Sequence, residues 1–121
     1  MRDRLTLYTL RNCSSCRAAV QWLEAHGMNF IEKPIRETPP SQAELRTMLA
    51  EQRGKLRRLF NTGGREYRAL GLAQKLPLMT EVEALALLAG NGSLVKRPFL
   101  LGPGVALVGF DEKIWAVTLG L

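Results

Sequence analysis

Cysteine and histidine are scarce in this sequence, with two Cys and one His among 121 residues. These three side chains cannot complete a tetrahedral zinc site, which takes four ligands, and His26 stands 10 residues beyond Cys16. No resident metal is therefore expected. Aromatic residues are only 7% of the chain, too sparse for base stacking along a single strand. No segment resembles a recognition helix, so direct nucleic-acid binding is not expected either. Long apolar runs are missing too. The stretch Ala84–Ala89 is among the longest, far short of the roughly 20 residues that cross a bilayer. Residues Met1 to Tyr8 carry neither an apolar leader core nor a small-residue cleavage site, so a cytoplasmic location is expected. Gly (11) and Pro (6) are at ordinary levels, with no repeats, low-complexity tracts or interdomain linkers. Collagen, disorder and coiled coil are excluded by that composition.

What remains is 46% hydrophobic and 23% charged, the composition of one globular domain over 1–121. A chain of this length buries a core without disulfide staples or a structural metal. Seventeen Lys and Arg against eleven Asp and Glu give a net charge of +6, and twelve of the seventeen are Arg. Guanidinium groups grip oxyanions bidentately. The charge favours anionic partners without choosing among phosphate, arsenate, glutathione, nucleic acid and an acidic protein face. A solvated basic surface accounts for it equally well.

Strand and helix signals alternate along the chain. Leu5–Leu10 alternates and is β-prone, Asn12–Cys16 reads as a polar turn, and Arg17–His26 reads as a helix stopped by Gly27. Phe30–Ile35 is a second strand. Ser41 with Glu44, and Thr80 with Glu83, are capping boxes opening two helices. Between them Leu56–Phe60 and Glu66–Leu70 look helical, and Asn61–Gly64 is a loop. Leu94–Leu101, interrupted by Pro98, reads as a third strand, Gly102-Pro-Gly as a turn, and Val105–Phe110 as a fourth strand. Asp111 caps a short terminal helix. The first two strands need a crossover and are expected parallel; the last two can only be antiparallel. The predicted architecture is α/β: a thioredoxin-like mixed sheet, built from β-α-β and then a β-hairpin and terminal helix. Residues 41–90 form a helical insertion between the second and third strands.

Cys13-Ser14-Ser15-Cys16 stands between the first strand and the first helix. A Cys-x-x-Cys beside a β-α-β pattern reads as a redox motif. Helix-start N–H groups and the helix dipole favour a thiolate at Cys13, and two intervening residues leave Cys16 within disulfide reach. Arg11 and Arg17 flank the pair and add positive potential. Lowering a thiol pKa from about 8.5 to about 6 raises the thiolate fraction at pH 7 roughly thirtyfold. Intrinsic nucleophilicity falls about tenfold or more over that shift, so the larger benefit is a better leaving group when Cys16 attacks. Two inert buried thiols are the alternative, and the turn location argues against it. His26 reads as a helix C-terminal residue favoured by the dipole rather than as a base.

A second constellation is Lys96-Arg97-Pro98 ahead of an apolar strand. In thioredoxin-type folds the proline before the third strand is cis and packs beside the active-site cysteine. The sequence alone does not decide the isomer. With a cis bond Arg97 would lie close to Cys13; otherwise it is a surface arginine at a strand edge.

Leu7-Tyr-Thr9 leading into Cys13-Ser-Ser-Cys16-Arg17 and Trp22-Leu-Glu24 resembles the arsenate reductase-like family, which also contains the Spx-type regulators. Glu37-Thr-Pro-Pro40, Tyr67–Leu72, Lys96–Leu101 and Leu107–Phe110 continue the resemblance over nearly the whole chain. It implies a reductase route in which Cys13 attacks arsenate, arginines neutralise the oxyanion and thiols complete reduction to arsenite. Cys16 would resolve Cys13 as an internal disulfide. Thioredoxin or glutathione with glutaredoxin would supply the electrons, with no bound cofactor. Arg97 matches one arginine of the glutaredoxin-linked enzymes. Thr9 stands where they have a histidine, and Asn61 and Gly109 where they have two further arginines. Arg11, Arg17, Arg65 and Arg68 are the candidate substitutes. Asn12, Ser14, Ser15, Asn61 and Pro98 complete the expected substrate-binding set. The regulator branch implies another role: a Cys-x-x-Cys redox switch on a protein that binds the C-terminal domain of the RNA polymerase α subunit. Arg46, Arg53, Gly54, Lys55, Arg57 and Arg58 crowd the corresponding inserted region.

Overall fold

The computed structural model describes residues 4–121. The leader-free reading of the N-terminus falls partly on 1–3, outside the described residues. Strand β1 (Leu5–Thr9) leads into α1 (Ser14–Ala25) and β2 (Phe30–Pro34). Helices α2 (Gln42–Glu51), α3 (Arg65–Ala69), α4 (Leu72–Lys75) and α5 (Glu81–Gly90) follow. The hairpin β3 (Phe99–Gly102) and β4 (Val105–Val108) comes next, then α6 (Glu112–Leu119). The sheet order is β2-β1-β3-β4. β1 pairs β2 in parallel from Leu5↔Phe30 to Thr9↔Pro34, and pairs β3 antiparallel with Tyr8 opposite Phe99. β3 and β4 are antiparallel. This is the expected thioredoxin-like mixed sheet. No described helix is long and apolar enough to cross a membrane.

The period-2 geometry of a strand sends alternate side chains to opposite faces. Leu5, Leu7, Leu100, Val105 and Leu107 pack against Ala19 and Leu23 of α1 and Trp115 and Leu119 of α6. Tyr8, Phe99, Leu101 and Ala106 go to the other face, against Leu45 and Met48 of α2 and Leu85 and Leu88 of α5. The central strands are therefore apolar on both faces, and the sheet sits between two helical layers.

Both capping boxes form: the Ser41 and Thr80 hydroxyls accept from the N–H groups of Glu44 and Glu83, whose carboxylates accept from the cap backbones. Asp111 caps α6 through Oδ1, taking the N–H groups of Lys113 and Ile114. Other boundaries differ from the sequence reading. Helix α1 begins at Ser14 rather than Arg17, because Cys13 itself is the N-cap. The third strand is confined to Phe99–Gly102: Gly92–Leu94 is a 3₁₀ turn, and Lys96 N–H donates to Leu59 O at 2.9 Å instead of joining the sheet. Pro98 has no N–H for a ladder and ends the pairing there. Strands β2 and β4 stop one and two residues short of the expected ends. Leu56–Leu59 is a 3₁₀ turn, and α4 with the turn Leu76–Leu78 is new.

Gly92 packs so closely on the backbone of Ile35 and Arg36 that an added Cβ would overlap the Ile35 carbonyl oxygen. At Gly102 the one close approach of an added Cβ would be to the end of the Leu5 side chain, 2.6 Å from Cδ2, with backbone atoms no nearer than 3.6 Å. Gly92→Ala is expected to destabilise the fold by at least ~3 kcal/mol, and Gly102→Ala by about 1 kcal/mol. Urea unfolding midpoints measure both; equal losses would contradict this packing.

Candidate functional site

β1 ends at Thr9, whose carbonyl accepts from Ile35 N–H at 2.9 Å. The chain then turns through Asn12, at φ 66°, a left-handed conformation that Asn tolerates better than most residues. That turn delivers Cys13 to the N-cap of α1 in extended geometry (φ −102°, ψ 113°). Three residues on, Cys16 occupies the third helical position, and its N–H donates to Cys13 Sγ at 3.3 Å. A sulfur therefore takes the role usually played by a Ser or Asp oxygen. The two-residue spacing of the motif is the spacing that an N-cap contact requires.

The two thiols have opposite environments. Cys13 is partly exposed and Cys16 is buried. Partial burial works to raise the Cys13 pKa, but it is outweighed. Hydrogen bonds from the Cys16 thiol, the Ser15 hydroxyl at 3.3 Å and the Cys16 N–H, together with the Arg97 charge, hold it below the ordinary thiol value. Burial pushes Cys16 up to about 12, helped by its thiol bond to Cys13 and the charge there. The Leu10 N–H, 3.5 Å from Cys16 Sγ, and Arg97 oppose that rise without cancelling it. On raising pH the outer sulfur therefore gives up its proton before the inner one.

Arg97 is half-buried, and its Nη1 donates to the carbonyls of Ser93 (2.9 Å) and Val95 (3.2 Å), which fixes the guanidinium. The Arg97–Pro98 peptide is cis, and Pro98 is buried. A cavity of about 410 Å³ opens here, with Ser15, Asn61, Arg97 and Gly109 on its walls. Arg97 thus converges on one space with Asn61 and Gly109, the two positions where the resemblance implied further arginines in the reductases. Lys96, from the Lys96-Arg97-Pro98 constellation, also lines it, as do Phe60, Thr62, Gly63 and Phe110, which the sequence does not mark as site residues. Lys96 lies over Gly109, where an added Cβ would stand 3.1 Å from Lys96 Cε.

The remaining expected residues are dispersed. Arg11, Asn12 and Arg17 line a second cavity, of about 690 Å³, that reaches Cys16, Thr9 and Glu32. There the Thr9 hydroxyl donates to Glu32 Oε2 at 2.6 Å. Ser14 is exposed at the first helical position. Arg68 donates to Gly63 O at 3.1 Å and lines a third cavity of about 900 Å³, while Arg65 is exposed on α3. Neither Arg65 nor Arg68 lines the space beside Arg97. His26 is the C-cap of α1, its Nδ1 2.8 Å from Trp22 O.

The ArsC family profile matches residues 8–118. The uncharacterized protein YusI of Bacillus subtilis is 44% identical over 108 residues, spanning 89% of this chain and 92% of that one. The global transcriptional regulator Spx of Enterococcus faecalis is 32% identical over 109 residues, covering 89% of this chain and 80% of Spx. A protein of Streptococcus mutans, solved as a possible arsenate reductase, superposes with a TM-score of 0.83 at 37% identity. That match covers 89% of this chain and 92% of the other.

Removing the Ser15 hydroxyl takes away one donor to the Cys13 sulfur. Ser15→Ala is expected to raise the Cys13 pKa and slow its alkylation by iodoacetamide at pH 7, whereas Ser14→Ala leaves both unchanged. Pseudo-first-order alkylation rates against pH provide the readout, and an unshifted Ser15→Ala profile would contradict the assignment.

Proposed function

The chain belongs to the ArsC family, and from that premise we propose that it is a thiol–disulfide oxidoreductase of the arsenate reductase type. The observation that carries this reading is the asymmetry of the thiols: an outer, partly exposed sulfur with lowered pKa over a buried one held protonated. Cys13 thiolate attacks the arsenic of arsenate and a water leaves, forming a Cys13 S–As bond. Cys16, giving up its proton, attacks Cys13 Sγ. The S–As electron pair stays on arsenic, releasing arsenite and a Cys13–Cys16 disulfide. An external dithiol, thioredoxin or a glutathione–glutaredoxin system, returns the two electrons. Arg97 is the oxyanion ligand, pre-set by its two carbonyl contacts.

The supporting likeness is to the Streptococcus mutans structure, whose fold this chain shares. A second reading has its own support. The Enterococcus faecalis relative is a transcriptional regulator, and the cavity lacks arginine at Asn61 and Gly109. Under that reading the same thiol pair is a redox switch. The basic run Arg53-Gly-Lys-Leu-Arg-Arg58 would then contribute to contact with the C-terminal domain of the RNA polymerase α subunit.

The discriminating assay is arsenate-dependent NADPH consumption coupled to thioredoxin or glutaredoxin. Turnover is expected for the wild type and absent for Cys13→Ser. Cys16→Ser is expected to accumulate a mixed disulfide or oxidised Cys13; normal turnover with every donor would remove the internal disulfide from the mechanism. Arg97→Ala is expected to weaken anion binding by about 1.5–3 kcal/mol, the range for charge-assisted hydrogen bonds, seen as a higher KM. An unchanged KM and kcat would take Arg97 out of the site. No turnover with either donor, joined to redox-dependent capture by the polymerase domain, would transfer the assignment to the regulator.

A further inference from the structure

The cavity beside Ser15 and Arg97 does not end there. It shares Phe60, Thr62, Lys96, Gly109 and Phe110 with a larger trough of about 860 Å³. The two are one continuous groove, running from the neighbourhood of Cys13 between the 3₁₀ turn Leu56–Leu59 and the β4–α6 corner. Its charge is one-sided. Lys55, Arg57 and Arg58 stand along the trough, Lys96 at the junction and Arg97 at the thiol end. Among the described residues the one acid lining it is Asp111. The Asp111 Oδ1 is already taken by two N–H groups at the start of α6. Gln52 Oε1 accepts from Arg58 Nε at 2.7 Å and holds that guanidinium along the trough.

The lining between these cations is apolar. Phe60 and Trp115 are buried beneath it, Phe110 packs edge-to-face on Trp115 with centroids 4.9 Å apart, and Ile114 is 53% exposed beside them. A wide trough with an apolar bed and a cationic border suits an extended polypeptide with acidic side chains. Single-stranded RNA shares the charge and the taste for aromatics, but it brings nothing for the Cys13 sulfur, which lies 3.3 Å from the Ser15 hydroxyl at the groove's end. A polypeptide can carry a cysteine to it.

We propose that this groove docks an acidic, cysteine-bearing segment of a protein dithiol that reduces the Cys13–Cys16 disulfide. The inference rests on the oxidoreductase reading and names the chemistry of its electron donor. One partner thiolate attacks the accessible Cys13 Sγ, the Cys13–Cys16 bond breaks, and Cys16 leaves as a thiolate that takes up a proton. The partner's second thiol then attacks its own disulfide-linked sulfur. That step frees Cys13 and leaves the partner oxidised, two electrons having passed to this protein.

Two synthetic probes test this: a Cys-x-x-Cys peptide flanked by glutamates, and its counterpart with glutamine in their place. The acidic peptide is expected to reduce the oxidised protein about tenfold faster at low salt, with the advantage lost at high salt, as for other steered encounters. Lys55→Glu/Arg57→Glu is expected to abolish that preference while leaving reduction by dithiothreitol unchanged. A control pair, Arg46→Glu/Lys75→Glu, makes the same change in net charge at exposed positions off the groove and should keep the preference. Binding of a fluorescent acidic peptide with serine in place of both cysteines is read alongside, and does not depend on any redox step. An oxidised protein that forms no Cys13–Cys16 disulfide would defeat the oxidoreductase reading, whereas groove-dependent peptide binding would still stand. Equal rates and equal affinities for the glutamate and glutamine peptides, or tighter groove-dependent binding of an oligouridylate, would overturn the docking proposal.

Discussion

The contact on which the site depends is the hydrogen bond from the Cys16 N–H to the Cys13 sulfur. It makes the outer thiol the N-cap of α1, so helix formation and thiolate stabilisation become the same event. A helix start leaves N–H groups without intrahelical partners and carries partial positive charge. A sulfur placed there is favoured as an anion. The residue donating to it brings its own side chain back into the core, where Cys16 is 2% exposed. One turn of backbone thus separates the two thiols into an outer nucleophile and an inner proton holder.

The remainder of the fold brings distant segments to that turn. Leu59 and Asn61 come from the helical insertion and are tied to Lys96 and Leu94 by backbone bonds of 2.9 and 2.7 Å. Gly109 N–H donates to Pro98 O at 2.8 Å, fastening the end of the hairpin to the same place. Trp115 of α6 donates its indole N–H to Gly109 O at 3.0 Å. Three stretches remote in sequence therefore wall one cavity beside Ser15. Asn61 brings an amide and Gly109 no side chain to that space, and Lys96 fills part of it above the glycine.

Much of this was legible in the sequence because it is written in local chemistry. Ser41 with Glu44, Thr80 with Glu83, and Asp111 mark helix starts through side chains that bond their own backbone. Cys13 and Cys16 mark a thiol pair by spacing alone. The start of α1 was misplaced by three residues because Cys is not an expected cap, and only the fold shows its sulfur accepting the helix's N–H. The segment before Pro98 looked like strand because its apolar residues are β-prone. It instead pairs with the 59–61 loop, a contact between positions more than thirty residues apart that no local pattern announces. The same non-locality hides Phe60, Thr62 and Phe110 from the site, and it sends Arg65 and Arg68 elsewhere although they follow the Asn61–Gly64 loop.

The central claim is that the two sulfurs differ in proton affinity because one caps a helix and the other lies beneath it. Thiolate absorbance near 240 nm, followed as the reduced protein is titrated upward from acid pH, tests it directly. The account predicts a single thiolate step below the ordinary thiol range, absent in Cys13→Ser. No second thiolate step should appear in the ordinary thiol range, since Cys16 is pushed up to about 12. Two thiolates appearing together in the ordinary range, or a low step that survives in Cys13→Ser, would contradict it.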